Sequence, residues 1–121
     1  MVNGIYLLAI SVNENIELNV GALGNMFFEK GIYAYVGSAQ SSLEKRIERH
    51  LRKRKKKFWH IDYLLSNEFV EVEEVFYKEA ERSEECNIAR KLGERNIPMK
   101  GFGCSGCHCR SHLFLLEDPS Y

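Results

Sequence analysis

The chain has 121 residues, with a hydrophobic fraction of 45% and a charged fraction of 28%, values typical of one soluble globular domain. Its apolar runs are too short to span a bilayer, and its first residues lack the features of a signal peptide, so we expect a single cytoplasmic domain over 1–121 with no membrane contact. Because the net charge is zero, attraction to a polyanion would have to come from a local basic segment.

The first third of the chain is predicted to be β-structure. Residues 5–11 are β-branched and aliphatic, and strand character resumes after turn signals at 16–20, 26–28 and 31–37. Strands separated by short turns are typical of an antiparallel meander, which is our expectation for this region.

Helical periodicity replaces the strand pattern at Ser41 or Ser42, either of which can cap a helix. Apolar residues then recur at four-residue steps, which predicts a helix over 42–55. The remaining predicted elements are a short helix over 58–65, a half-exposed strand over 70–77, a helix over 83–95 and a closing strand over 112–116. The pattern indicates an α+β fold, a small central antiparallel sheet flanked by about three helices.

Positive charge is concentrated on the first predicted helix. Nine of the 17 Lys and Arg residues lie between Lys45 and Lys57, where Glu48 is the only acidic residue. Such a segment favours contact with phosphates, although a solvated helix face would show the same pattern.

Short motifs in a fixed order resemble those of the GIY-YIG nuclease superfamily: Gly4-Ile5-Tyr6, Tyr35-Val36-Gly37, Arg46, His50 and Glu85. The whole chain is similar to a small branch of that superfamily that is sometimes fused to endonuclease III-type proteins. The resemblance implies hydrolysis of a DNA phosphodiester with one Mg²⁺ or Mn²⁺. It also implies that a tyrosine or His50 assists the nucleophile while Arg46 stabilises the transition state.

The spacing of the motifs departs from the usual pattern. Between Tyr6 and Tyr35 lie 28 residues, more than a hairpin needs, and an added strand pair would absorb them. A second Gly-Ile-Tyr at 31–33 makes Tyr33 the alternative to this pair. An Asn that many members carry late in the chain has no clear match here.

The residue pattern itself also singles out part of this set. On a helix, Arg46 and His50 project from one face at the edge of the core, where Arg46 could fork onto phosphoryl oxygens. Glu85 falls on an otherwise apolar helix face, so a bound divalent cation would explain its carboxylate. The alternative for Arg46 and His50 is that they are ordinary salt-bridging side chains on a basic helix. The alternative for Glu85 is a frayed helix start that leaves its carboxylate in water.

We expect DNA contacts from residues on and after the basic helix. The basic run should make mostly phosphate contacts, and the resemblance places His60 nearer to DNA than Asp62. The full expected set is Arg49, Arg52, Lys53, Arg54, Lys55, Lys56, Lys57 and His60.

A cluster of sulfur and imidazole ligands lies near the end of the chain. Cys104, Cys107, Cys109 and His112 include a Cys-x-x-Cys spacing and could bind structural Zn²⁺. A disulfide and reduced cysteines in a Gly-rich turn are the other interpretations, and a cytoplasmic protein favours thiols over a disulfide.

Three functions follow from these observations. The first is a metal-dependent DNA endonuclease acting in repair or DNA processing. The second is a binding module that keeps the nuclease fold without cleavage and acts as a targeting partner for a repair enzyme. The third, based on the Cys/His cluster, is a zinc-stabilised RNA or protein interaction domain.

Overall fold

A five-stranded antiparallel sheet and three helices dominate the computed structural model, which describes residues 4–39, 42–57, 59–103 and 109–117. The strands are Gly4–Val12 (β1), Ile16–Asn19 (β2), Asn25–Phe28 (β3), Gly31–Ala39 (β4), Val70–Glu79 (β5), Ile97–Pro98 (β6) and Leu113–Leu115 (β7). The helices are Leu43–Leu51 (α1), His60–Leu65 (α2) and Ser83–Gly93 (α3). The predicted α+β class is confirmed.

The main sheet has the strand order β5-β1-β4-β7-β6, with every neighbouring pair antiparallel. β1 lies between two long partners and is buried at every position except Leu7. A strand covered on both faces needs a nearly continuous apolar sequence, which β1 has. The short strand β6 was not predicted, and Pro98 is tolerated there because β6 is an edge strand.

The predicted meander is wrong. Within the part of the chain that the structure describes, β1 pairs with β4 and β5, whereas β2 pairs with β3 in a separate two-stranded sheet. β2 has exposed residues at Glu17 and Asn19, so it is unsuited to a central sheet that is covered on both faces. The strand pair expected between Tyr6 and Tyr35 is confirmed, since β2 and β3 account for the extra residues.

Helix α1 is shorter than predicted. Ser42 caps its start by accepting a hydrogen bond from the Lys45 amide, but the helix ends at Leu51, and Arg52 has extended backbone angles. The ammonium group of Lys55 then donates to carbonyl oxygens of the last turn. Like charges one turn apart disfavour further helix, and a lysine can satisfy the terminal carbonyls. The basic run 52–57 therefore follows the helix and does not lie on it.

The two faces of the sheet carry different helices. The main core cluster joins Tyr6, Leu8 and Tyr35 of the sheet to residues of α1 and α2. α3 packs against β4 and β7. Its residue Glu85 bonds the Ser38 side chain, which projects from the face of the sheet opposite to Tyr35. Among the described helices, none has the length and apolar character needed to cross a membrane.

Candidate active site and metal-binding cluster

Tyr6 lies across strand β4 because position 37 is a glycine. Tyr6 and Gly37 are directly opposite in the antiparallel ladder. A Cβ atom added to Gly37 would fall within contact distance of the Tyr6 ring atoms, too close for both to stay in place. Tyr35 projects from the same face, with its ring centroid 6.4 Å from that of Tyr6. The segments Gly4-Ile5-Tyr6 and Tyr35-Val36-Gly37 thus pack closely because residue 37 has no side chain.

Tyr6 and His50 form a buried hydrogen-bonded pair. The Tyr6 hydroxyl lies 2.6 Å from Nε2 of His50, and each residue is 2% exposed. Burial, with the nearby Lys55 charge, lowers the pKa of His50 to about 3, so the imidazole is neutral at pH 7. Burial also raises the pKa of Tyr6 well above its usual value, against the lowering effect of Arg46. The pair is therefore a neutral phenol beside a neutral imidazole.

Arg46 lies one helical turn before His50, and two contacts orient its guanidinium group. Nη1 donates to the carbonyl oxygen of Ser38 at 2.9 Å, and the guanidinium carbon lies 4.4 Å from the Trp59 ring centroid. A guanidinium over an indole ring is held by cation–π attraction. These contacts pre-orient Arg46, whose positive charge lowers the pKa of Tyr6 against the larger effect of burial.

Glu85 does not lie on an unpaired apolar face as its spacing suggested. Oε1 accepts a hydrogen bond from the Ser38 hydroxyl at 2.6 Å, and Oε2 lies 2.8 Å from Nδ1 of His112. Burial raises the pKa of Glu85, but the bonds from His112 and Ser38 outweigh it and the net pKa is lowered. The side chain is 18% exposed, so Glu85 is an ionised, partly accessible carboxylate.

Ser38 connects the two halves of this site, and the sequence reasoning did not select it. Its carbonyl oxygen binds Arg46 while its hydroxyl binds Glu85. The signal that could have identified it is its position directly after Tyr35-Val36-Gly37, within the segment that carries the resemblance. The structure thus brings Tyr6, Tyr35, Arg46 and His50 together on one face and links Glu85 to them through Ser38.

Some of the expected DNA-binding side chains are engaged within the protein. Arg49 forms two bonds with the Asp62 carboxylate, at 2.8 and 2.9 Å. The Lys53 ammonium donates to three carbonyl oxygens between α2 and β5, those of Leu65, Asn67 and Val70. With Lys55 capping α1, three of the expected cations have structural partners.

The other basic residues face outward. Arg52, Arg54, Lys56 and Lys57 are exposed. A depression of about 440 Å³ is lined by Arg49, Arg52, Arg54, Lys55, Lys56 and Trp59, so the exposed cations border the ring on which Arg46 stacks.

The His60 side chain contacts the segment that contains Phe102 and Gly103. Its Nδ1 accepts a hydrogen bond from the Gly103 amide at 2.9 Å, and its ring packs edge-on against Phe102. Asp62 instead accepts a hydrogen bond from Arg49. The described contacts give His60 a role in holding the segment around Gly103.

Three metal-ligand side chains converge on the side of α3. Cys86, Cys109 and His112 each offer a donor atom, and these atoms lie within 4.8 Å of one another, so the cluster could hold a metal ion. Cys109 and His112 belong to the predicted zinc set, and Cys86 does not. Cys104 and Cys107 lie outside the described residues.

One family model matches nearly the whole chain. A family model described as "Domain of unknown function DUF123" matches residues 5–120. No curated protein and no solved structure matched the chain.

Proposed function

The chain belongs to the DUF123 family, and we propose that it is a metal-dependent DNA endonuclease of the GIY-YIG type. The observation that carries the proposal is the hydrogen bond between His50 and Tyr6 together with the contacts that join Arg46 through Ser38 to Glu85. These residues come from three separate parts of the chain: Tyr6 from β1, Ser38, Arg46 and His50 from β4 and α1, and Glu85 from α3. Their convergence around one charged, partly accessible end of the sheet supports a common chemical role.

Arg46 is suited to stabilise the pentavalent phosphorane-like transition state of phosphodiester hydrolysis. Its guanidinium is already oriented by Trp59 and Ser38, so little reorganisation is needed when negative charge develops on the phosphoryl oxygens. A planar guanidinium can also bind two such oxygens at once. We therefore assign Arg46 to the phosphoryl group.

The Tyr6–His50 pair is suited to move a proton. In the proposed step, Tyr6 accepts a proton from the attacking water while its own proton passes to Nε2 of the neutral His50. Tyr6 retains its proton at pH 7 and the pKa of His50 is about 3, so the step requires the negative charge of a bound phosphate to raise the pKa of His50. Since both are 2% exposed, substrate binding has to open a path for water to Tyr6.

Glu85 fits a hard divalent cation. Mg²⁺ and Mn²⁺ sites in such enzymes use one or two carboxylates together with substrate phosphates and water, and Glu85 is ionised and partly accessible. When bound, the ion would supply positive charge to the phosphate oxygens. Glu85 itself would hold the ion, and Ser38 would hold Glu85.

The decisive experiment is a cleavage assay on plasmid, nicked and branched DNA in Mg²⁺ or Mn²⁺. We expect wild type to cleave at least one of these substrates and Glu85→Gln to cleave about 100- to 1,000-fold more slowly. Glu84→Gln is the matched control, since Glu84 neighbours Glu85 on α3 and contacts Asn87 instead of the site. If Glu85→Gln and wild type cleave at equal rates and bind Mn²⁺ with equal affinity, Glu85 is not a ligand of the divalent cation.

A non-catalytic DNA-binding module is the second candidate. The observation that favours it is that both Glu85 oxygens already have protein partners, Ser38 and His112. Such a module could target a repair enzyme to DNA. Wild-type protein that binds DNA but cleaves none of the three substrates with either ion would support this function over the nuclease.

DNA binding is expected to depend on the exposed cations Arg52, Arg54 and Lys56 and not on Lys53 and Lys55, which bond carbonyl oxygens within the protein. Replacing Arg52, Arg54 and Lys56 with Gln should flatten the log–log dependence of affinity on salt by about two to three units, since each phosphate contact contributes roughly −0.9. The control is the double variant Lys53→Gln/Lys55→Gln, whose ammonium groups donate to carbonyl oxygens within the protein.

A filter-binding series from low to high salt measures both slopes. The double variant should keep the wild-type slope, with circular dichroism used to verify that it is folded. Identical slopes for wild type and the triple variant would contradict the proposed phosphate contacts and support a merely solvated segment.

A further inference from the structure

Cys86, Cys109 and His112 come together from separate parts of the chain. Cys86 lies on α3, Cys109 precedes β7 by several residues and His112 directly adjoins β7. Their donor atoms are mutually within 4.8 Å. Zn²⁺ binds sulfur at about 2.3 Å and nitrogen at about 2.0–2.1 Å, which in a tetrahedron puts ligand atoms a little under about 4 Å apart. Small side-chain adjustments would therefore suffice for one ion.

The donor set selects the class of metal. Two thiolates and an imidazole are soft or borderline ligands, which favour Zn²⁺ over oxygen-preferring ions such as Mg²⁺. His112 is buried, and both cysteines are partly buried, so the ion would be shielded from bulk water on part of its surface. This cluster is therefore chemically distinct from the carboxylate assigned to Mg²⁺ or Mn²⁺.

Glu85 supplies an independent indication of metal binding. Its Oε2 lies 2.8 Å from Nδ1 of His112, and Ser38 fixes the other oxygen. Metal-bound histidines commonly donate their second ring nitrogen to a carboxylate, which fixes the tautomer and the ring orientation. With Nδ1 directed to Glu85, Nε2 is the nitrogen that would bind the ion.

We propose that Cys86, Cys109 and His112 bind one Zn²⁺ ion, with Glu85 orienting the His112 ring. The site differs from a zinc knuckle built from the Cys104–Cys109 segment alone, because its first ligand comes from α3. It joins α3 to the segment before β7, and it does so next to Glu85. Metal binding at this site is independent of whether the protein cleaves DNA.

Spectroscopic titration of the full, reduced and chelator-treated chain with Co²⁺, followed by displacement with Zn²⁺, tests the proposal without DNA or Mg²⁺. Wild type should show near-ultraviolet thiolate-to-Co²⁺ charge-transfer bands that saturate at one equivalent. Glu85→Gln should weaken affinity by about 10- to 100-fold, and Cys86→Ser and His112→Gln should weaken it more. Glu84→Gln should bind as wild type does.

Unchanged affinity and charge-transfer intensity in Cys86→Ser would overturn the proposal, as would the absence of metal binding by wild type. A second measurement covers the case in which Cys86→Ser does not fold. Alkylation of native wild type with iodoacetamide, followed by peptide mapping, should show Cys86 reacting at least tenfold more slowly with Zn²⁺ than with chelator. An equal alkylation rate at Cys86 would also overturn the proposal.

Discussion

Replacing Arg46 with alanine is expected to slow DNA cleavage by about 100- to 1,000-fold, the usual effect of removing one pre-oriented donor to the transition state. The loss of folding stability should be only about 1 kcal/mol, because the side chain is partly exposed and contributes mainly one cation–π contact and one hydrogen bond. Single-turnover cleavage at saturating protein and urea unfolding measure the two effects separately.

Two further variants define the role of Arg46. Arg46→Lys keeps the charge but loses the planar pair of donors, so it should retain most of the defect. Arg90→Ala removes an arginine from the exposed side of α3, where Arg90 contacts Asn87, and should cleave at the wild-type rate. An Arg46→Ala protein that cleaves as fast as wild type would take Arg46 out of the proposed mechanism.

The elements that local sequence specifies were the ones predicted well. Periodicity and a serine cap located α1, and alternation located β5, because both signals arise within a few neighbouring residues. The proximity of Tyr6 and Tyr35 was also predictable, because the resemblance assigns both residues to one site. The steric reason, the missing Cβ of Gly37, needed coordinates.

The errors share a cause in tertiary contacts. The helix predicted over 42–55 from apolar periodicity included part of the basic run, but Lys53 and Lys55 donate to carbonyl oxygens that periodicity does not reveal. Local spacing does not indicate Ser38, because its partner Glu85 is 47 positions away in sequence. It does not indicate Cys86 either, because Cys109 and His112 are 23 and 26 positions away. Side-chain spacing predicts which face a residue occupies, but not what packs against that face.

Replacing Arg49 with alanine is expected to lower the free energy of unfolding by about 3–5 kcal/mol, the usual cost of removing one partner from a buried ion pair. The Asp62 side chain is fully buried and receives two hydrogen bonds from the Arg49 guanidinium. Asp62 also accepts the Trp59 amide at the start of α2, so the damage should reach that helix. Urea unfolding at neutral pH measures the loss.

Adding Asp62→Asn to Arg49→Ala removes the buried charge, so the double variant should lose less stability than the sum of the two single variants. Arg52→Ala is the matched control, because Arg52 is exposed and its replacement should change stability by no more than about 0.5 kcal/mol. The same variants decide whether Arg49 binds DNA, as its place in the basic segment suggested. If Arg49 is committed to Asp62, the folded Arg49→Ala protein keeps the wild-type salt slope. A stable Arg49→Ala protein whose slope is flatter by about 0.9 would instead place that guanidinium on a phosphate.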